Sequence, residues 1–344
     1  MNGARLRAAF ALLVLPLVMG ACGAPAKSPA PPLPPLHLTP TTDLVAAAGL
    51  SWMLDAKPRA LMEHVELAQA VQLAISDAKF RYFRDNNGGV ELRTLEELVV
   101  ADYDRTTLFL LRGSFSPAHI ERDFKTHVEV EGRGVDRQSD ALGTIIRTWG
   151  SNAQDEREQV AIFGHEALGL ERGEFGPLRT AELFAQGKLK RSATALSVEP
   201  LAQAQKELGD APLVVYVRGP FGKEWSHGLG GLLAASTGLA VAVRPADSDR
   251  RHDGDLLAVT VALYGAWGKD ADQAASRLTA TLHLFQESAI GKLCGVDHPV
   301  VGPRTRATSS EIAVDLSFDS ARFFAGIADS TTSSVQEILG GMRE

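Results

Sequence analysis

His165 and Glu166 stand side by side and are the nearest approach in this chain to a metal-dependent hydrolase. In a helical His-Glu-x-x-His pattern the second imidazole lies one turn on, so two ligands meet one zinc ion from a single face while the glutamate acts as base. Gly169 occupies that second position, so the pair is incomplete. His119 and His127, eight apart with Asp123 between them, would fall near one stripe of a helix. A metal there would still need a further ligand from elsewhere, and solvated helix-face residues explain the spacing without one.

Other patterns are weaker. Ser76-Asp77-Ala78-Lys79 sets an amine one helical turn from a hydroxyl, but the Ser-Asp-Asn and Lys-Thr-Gly motifs that accompany a working Ser-x-x-Lys are missing. No Gly-x-Ser-x-Gly elbow occurs. The cluster Gly228, Gly230 and Gly231 lacks the third glycine of a dinucleotide loop, and no Gly-Lys-Ser/Thr follows a glycine-rich turn. Asp247, Asp249, Asp253 and Asp255 could gather around calcium, yet the loop spacing is not met, Arg250 and Arg251 sit among them, and Asp253-Gly254 is a turn pair. Cys294 has no accompanying histidine motif and reads as a small apolar residue in a packed corner. No catalytic residue, metal site or cofactor is therefore assigned from sequence.

The residue with the clearest chemistry is Cys22. Arg5 and Arg7 form a positive start, Ala8 to Met19 is apolar apart from Pro16, and the small residues Gly20 and Ala21 precede the thiol. As a helix, residues 8–21 would span only roughly 21 Å against a bilayer core of about 30 Å, too short for a permanent span. Met19-Gly20-Ala21-Cys22 resembles the lipobox of bacterial lipoproteins, with Met where that family prefers Leu. The resemblance implies a signal peptide over 1–21, a diacylglyceryl group on the Cys22 sulfur and a third chain on its freed amine. At about 0.8 kcal/mol per buried methylene, such chains make release from the membrane negligible. An ordinary secretory peptide cut near Ala21 with a free Cys22 is the alternative. Gly23, in place of the aspartate that holds such proteins at the inner membrane, implies the outer membrane, facing the periplasm or the surface.

Seven of the 17 prolines lie between Pro25 and Pro40, which favours extended polyproline II and predicts an acylated tether over residues 22–42. The formal charge is −7; without Arg5 and Arg7 the mature chain has 33 basic and 42 acidic side chains, or −9. That balance repels phosphate backbones and excludes nucleic acid as a natural partner. With Cys22 consumed, Cys294 has no disulfide partner, so the core must hold the fold.

The elements that would position these residues read as two similar runs. In the first, Leu50 to Ala56 is a strand, Arg59 to Phe83 carries one helical stripe, and Val99 to Tyr103 with Thr107 to Arg112 form strands. A helix from Pro117 to Val128, strands Thr144 to Trp149 and Gln159 to Gly164, and a helix near Arg179 to Gln186 follow. In the second, Pro212 to Arg218 is a strand, Trp225 to Ala235 a helix, and Gly238 to Arg244 with Asp255 to Tyr264 a strand pair. The helix starting at Asp270 has the clearest buried stripe, from Ala271 through Leu278 to Ala289. Strands Arg304 to Thr308 and Glu311 to Phe318 and a helix Ala321 to Ile327 close the run.

The expectation is an α+β fold of two tandem repeats, each an antiparallel sheet with helices packed on one face, over residues 43–190 and 191–330, with a C-terminal polar helix or tail over 331–344. The pattern is similar to duplicated bacterial envelope proteins of unknown function, which implies a fold and no activity. Three functions are then compatible. The leading one is a non-enzymatic envelope lipoprotein that binds a protein, glycan or apolar ligand and meets membrane lipid through acylated Cys22. The second is an envelope polymer or lipid hydrolase with His165, Glu166, His119 or Asp102 converging between the units. The third is a carrier with an apolar cavity.

Overall fold

The structure is a computed structural model that describes residues 35–326 apart from 65–66, 69–70, 73–74, 130–133, 141–142, 223–224, 247–255, 289–290, 292–295 and 324. Cys22, Cys294, the aspartate loop 247–255 and the tail 331–344 lie outside the described residues.

Twelve strands form one sheet in which all neighbours are antiparallel. They are β1 (Trp52–Ala56), β2 (Glu97–Asp102), β3 (Thr106–Arg112), β4 (Asp136–Ser139), β5 (Ile145–Ser151), β6 (Arg157–Phe163), β7 (Ala167–Gly173), β8 (Leu213–Arg218), β9 (Ser236–Ala246), β10 (Leu256–Gly265), β11 (Val301–Ala307) and β12 (Glu311–Asp319). Their order across the sheet is β11-β12-β10-β9-β8-β1-β2-β3-β7-β6-β5-β4. The mixed helix and sheet content and the antiparallel pairing agree with the α+β expectation. The helices are α1 (Pro58–Glu63), α2 (Asp77–Asn86), α3 (Pro117–Val128), α4 (Pro177–Ala185), α5 (Leu201–Leu208) and α6 (Ala271–Glu287).

Two separate sheets do not form. β1 and β8 pair at the centre, Leu54 opposite Val215, so a single sheet runs through both stretches. One hydrophobic core follows it on one face, from Phe163 and Leu110 through Met53 to Tyr216 and Ala313.

Helices cover both faces, which corrects the one-face expectation. The first face packs α4 and α5, through Leu178, Phe184, Leu201 and Leu208, against Leu108, Val99, Val214 and Ala240. The second face carries two separate patches. In one, Ile120 of α3 lies with Val160, Ile162 and Leu168; in the other, Ala271, Ala274, Ala275 and Leu278 of α6 lie with Leu263, Ile312 and Val314. The physical reason is the strand pattern itself. In β6 and β12, side chains of both parities are buried, Val160 and Ala161 alike, as are Ile312 and Ala313. A strand apolar on both faces must be covered on both.

Three segments depart locally from the sequence expectation. The single stripe expected over Arg59–Phe83 is broken, because Ser76 is extended (φ −61°, ψ 152°) and starts α2 afresh as its N-cap. The helix expected over Trp225–Ala235 is a 3₁₀ segment, Gly228–Ala235, interrupted by left-handed Leu229, Gly230 and Gly231. The expected tether joins the body at its far end. His37 N donates to Ala185 O at 2.8 Å, and Leu38, Thr41 and Thr42 are buried.

Candidate functional site

The structure separates the residues that could have made a hydrolase. His165 and Glu166 sit in the hairpin turn between β6 and β7, not on a helix, and both are exposed. His165 Nδ1 lies 3.2 Å from Phe115 O, and Gly113 N donates to Glu166 O at 2.9 Å, so the turn is fastened to the end of β3. Gly169 belongs to β7. A Cβ there would collide with Leu178 Cδ1, so the position is glycine to admit α4 against the sheet.

His119 is exposed on α3 and lines a shallow hollow with Gly88, Gly89, Ser114 and Ser116. Asp123 is committed elsewhere: its Oδ2 accepts from Gly88 N at 2.9 Å and its Oδ1 from Arg122 Nε, which lowers its pKa. His127 instead meets Glu158 on β6. Asp102 ends β2 opposite Thr107, whereas His165 lies beyond the Arg112 end of β3. The two are at opposite ends of the strands and share no cleft.

Ser76 and Lys79 are equally plain. Ser76 Oγ accepts from Lys79 backbone N at 3.4 Å, and the Lys79 side chain is exposed. The pair is a helix cap, which is what a serine before an amphipathic run supplies. Among the described residues no group of three His, Cys, Asp or Glu side chains is placed to hold a metal ion, and no helix is long and apolar enough to cross a membrane.

A site that no sequence motif announced lies on the first face of the second stretch. Where β9, β10, β12 and β11 extend beyond α5, their side chains form the floor of an open groove of about 730 Å³. The register fixes its layout. Across the strands run Arg244, Ala258, Ser317 and Val301, and beside them Thr260, Asp315 and Arg304. Arg306 and Glu207 complete the polar lining.

The charges along the groove are partly paired. Asp315 accepts from Thr260 Oγ1 at 2.6 Å and lies 3.4 Å from Arg306 Nε. At the α5 end, Glu207 accepts from Gln203 Nε2 at 3.1 Å and from Tyr264 OH at 3.3 Å. Buried Glu311 adjoins this group, and desolvation together with the Glu207 carboxyl pushes its pKa up to about 7. Arg244 stands toward the other end, and Arg304 stands directly across from Asp315. Arg244 Nε is buried and finds no acceptor among the described residues. Arg304 projects from the edge strand with no ion pair among the described residues, while its neighbour Arg306 has Glu311 and Asp315. Only the strand alternation Arg304, Arg306 could have placed two guanidinium groups on one face, and the partners of Arg306, Glu311 and Asp315, come from the neighbouring strand β12.

No protein-family model, no curated protein and no solved structure matches this chain.

Proposed function

We propose that this chain is a lipid-anchored protein of the bacterial cell envelope that binds a ligand or partner and does not turn one over. The observation that carries the reading is the order of the first 22 residues: Arg5 and Arg7, an apolar run too short to span, two small residues, and Cys22. Acyl chains on Cys22 hold the protein at the membrane, with Gly23 directing it to the outer membrane. The proline-rich residues 23–34 then lie between anchor and body, at roughly 3.1 Å per residue if extended, a reach of about 40 Å.

The non-catalytic part of the reading rests on how the candidate side chains are used. Ser76 caps a helix, Asp123 holds the Gly88 amide, and Asp102 and His165 sit at opposite strand ends. The groove beside Arg244 and Arg304 is where a ligand would be held.

The body is read as a duplication within one sheet. From the central β1–β8 pair, the order outward is β1-β2-β3-β7-β6 on one side and β8-β9-β10-β12-β11 on the other. In both directions a helix, α3 or α6, follows the third strand in sequence and packs on the second face. The first half adds β5 and β4 at its edge.

Mass spectrometry of the mature N-terminus tests the anchor. Trypsin releases Cys22–Lys27 as the first peptide. The expected species carries a diacylglyceryl group on sulfur; an unmodified Cys22 peptide, or one that begins upstream of it, would overturn the assignment.

A further inference from the structure

We infer that the groove floored by Ala258 and Ser317 binds a small organic oxyanion, a carboxylate or a phosphate ester, between Arg244 and Arg304. This rests on the reading of the chain as a binding protein and names the class of its ligand.

The first support is geometric. Arg244 and Arg304 stand on β9 and β11, three strand spacings apart and one same-face row along, so their backbones are separated by roughly 16 Å. Beside Arg244 the floor residues are small, Ala258 and Ser317, and beside Arg304 they are Asp315 and Thr260, which are hydrogen-bonded to each other. Two long side chains can reach toward each other across this floor, and about 730 Å³ suits a small organic ligand.

The second support is electrostatic. The two acids that line the groove already have donors: Asp315 has Thr260 and Arg306, and Glu207 has Gln203 and Tyr264. Glu311 lies within reach of Arg306. Arg244 and Arg304 are the cations left without a partner at this face among the described residues. A buried guanidinium N–H with no acceptor costs free energy that an oxyanion would recover, and a planar guanidinium suits carboxylate or phosphate oxygens. Glu207 and Glu311 lie at the far end from Arg244, while Asp315, across from Arg304, is held by Thr260 and Arg306. An anionic head is drawn toward Arg244 and repelled from Glu207.

The specific alternative is that Arg244 and Arg304 are solvated edge residues. Titration calorimetry separates the two, using the full chain in a neutral detergent with inorganic phosphate and, separately, succinate as probes and glucose as the uncharged control. Saturable binding of phosphate or succinate is expected and none of glucose; which anion binds identifies the head group. Arg304→Gln and Arg244→Gln should each weaken binding by about tenfold or more, the loss of a charge-assisted hydrogen bond. Exposed Arg157→Gln, at the far side of the sheet, should leave it unchanged. Arg304 is on the surface, so its variant folds and decides the matter if Arg244→Gln does not. No binding of either anion, or binding that both variants leave intact, would overturn the proposal. Because the anchor is read separately from the Cys22 peptide, an acylated protein that binds no anion would remove this inference and leave the anchor standing.

Discussion

His127 Nε2 lies 3.3 Å from Glu158 Oε2, which ties α3 on the second face of the sheet to a carboxylate buried on β6. Glu158 is 1% exposed and also meets Arg172 Nε at 3.3 Å and Asn152 Nδ2 at 2.9 Å, so its charge is kept by three partners. The hydrogen bond to Glu158 raises the His127 pKa above its ordinary value, against the opposing effect of burial.

The sign of the resulting pH dependence is fixed. His127 is protonated more tightly in the folded state, so its contribution is fully present below the unfolded pKa of about 6.5 and is lost as pH rises through the raised folded value. The His127 side chain is half exposed, which screens the pair to about 0.5–1 kcal/mol. His127→Ala should lower the urea midpoint at pH 5.5 and matter less at pH 9. An equal loss at both pH values would show that packing and not charge carries the contact.

Asp55 gives a dependence of the same sign at lower pH, but here the charged form is the destabilising one. It lies on central strand β1, 5% exposed, and burial pushes its pKa up to about 6, with Lys57 opposing and Glu97 adding. The unfolded chain releases this proton near pH 3.8, so stability falls as pH rises from there to about 6 and stays reduced above it. Asp55→Asn should therefore stabilise the protein at pH 7.5 by about 1–3 kcal/mol, with the gain shrinking toward pH 4. A gain independent of pH, or a loss at pH 7.5, would show that the carboxylate is not the destabilising species.

Gly169→Ala tests why the second histidine of a zinc pair is absent. The added methyl meets Leu178 Cδ1 and lies 3.3 Å from Leu110 Cδ2, so α4 must shift off the sheet. Overpacking of this kind costs about 1–3 kcal/mol, read as a lowered melting temperature or urea midpoint. A neutral substitution would mean that α4 is packed loosely enough to adjust.

The local strand and helix signals are legible where one residue type dominates. Pro117–Val128 matches α3, and the alternation of Ile312, Val314, Leu316 and Phe318 marks β12. β7 is not legible, because Ala167-Leu-Gly-Leu-Glu-Arg-Gly has two glycines and no β-branched residue. Its strand character comes from pairing with β3 and β6, and its buried Glu171 is stabilised by accepting from Gly176 N and Leu178 N at the start of α4. Helix α5 escapes notice for a related reason: its eight residues bury only Leu201, Ala204 and Leu208. The joining of two runs into one sheet depends on the β1–β8 pair, whose members lie about 160 residues apart in the chain, a distance no periodicity reports. The groove is hidden similarly, since Arg244, Asp315 and Arg304 become neighbours only through strand register.

The anchor is tested most directly in living cells. A host supplied with an alkyne analogue of palmitate should label the wild-type chain and leave Cys22→Ala unlabelled, with wild type in the membrane fraction after an alkaline wash. Label that persists in Cys22→Ala, or a wild-type protein recovered unlabelled from the soluble fraction, would contradict acylation at this sulfur.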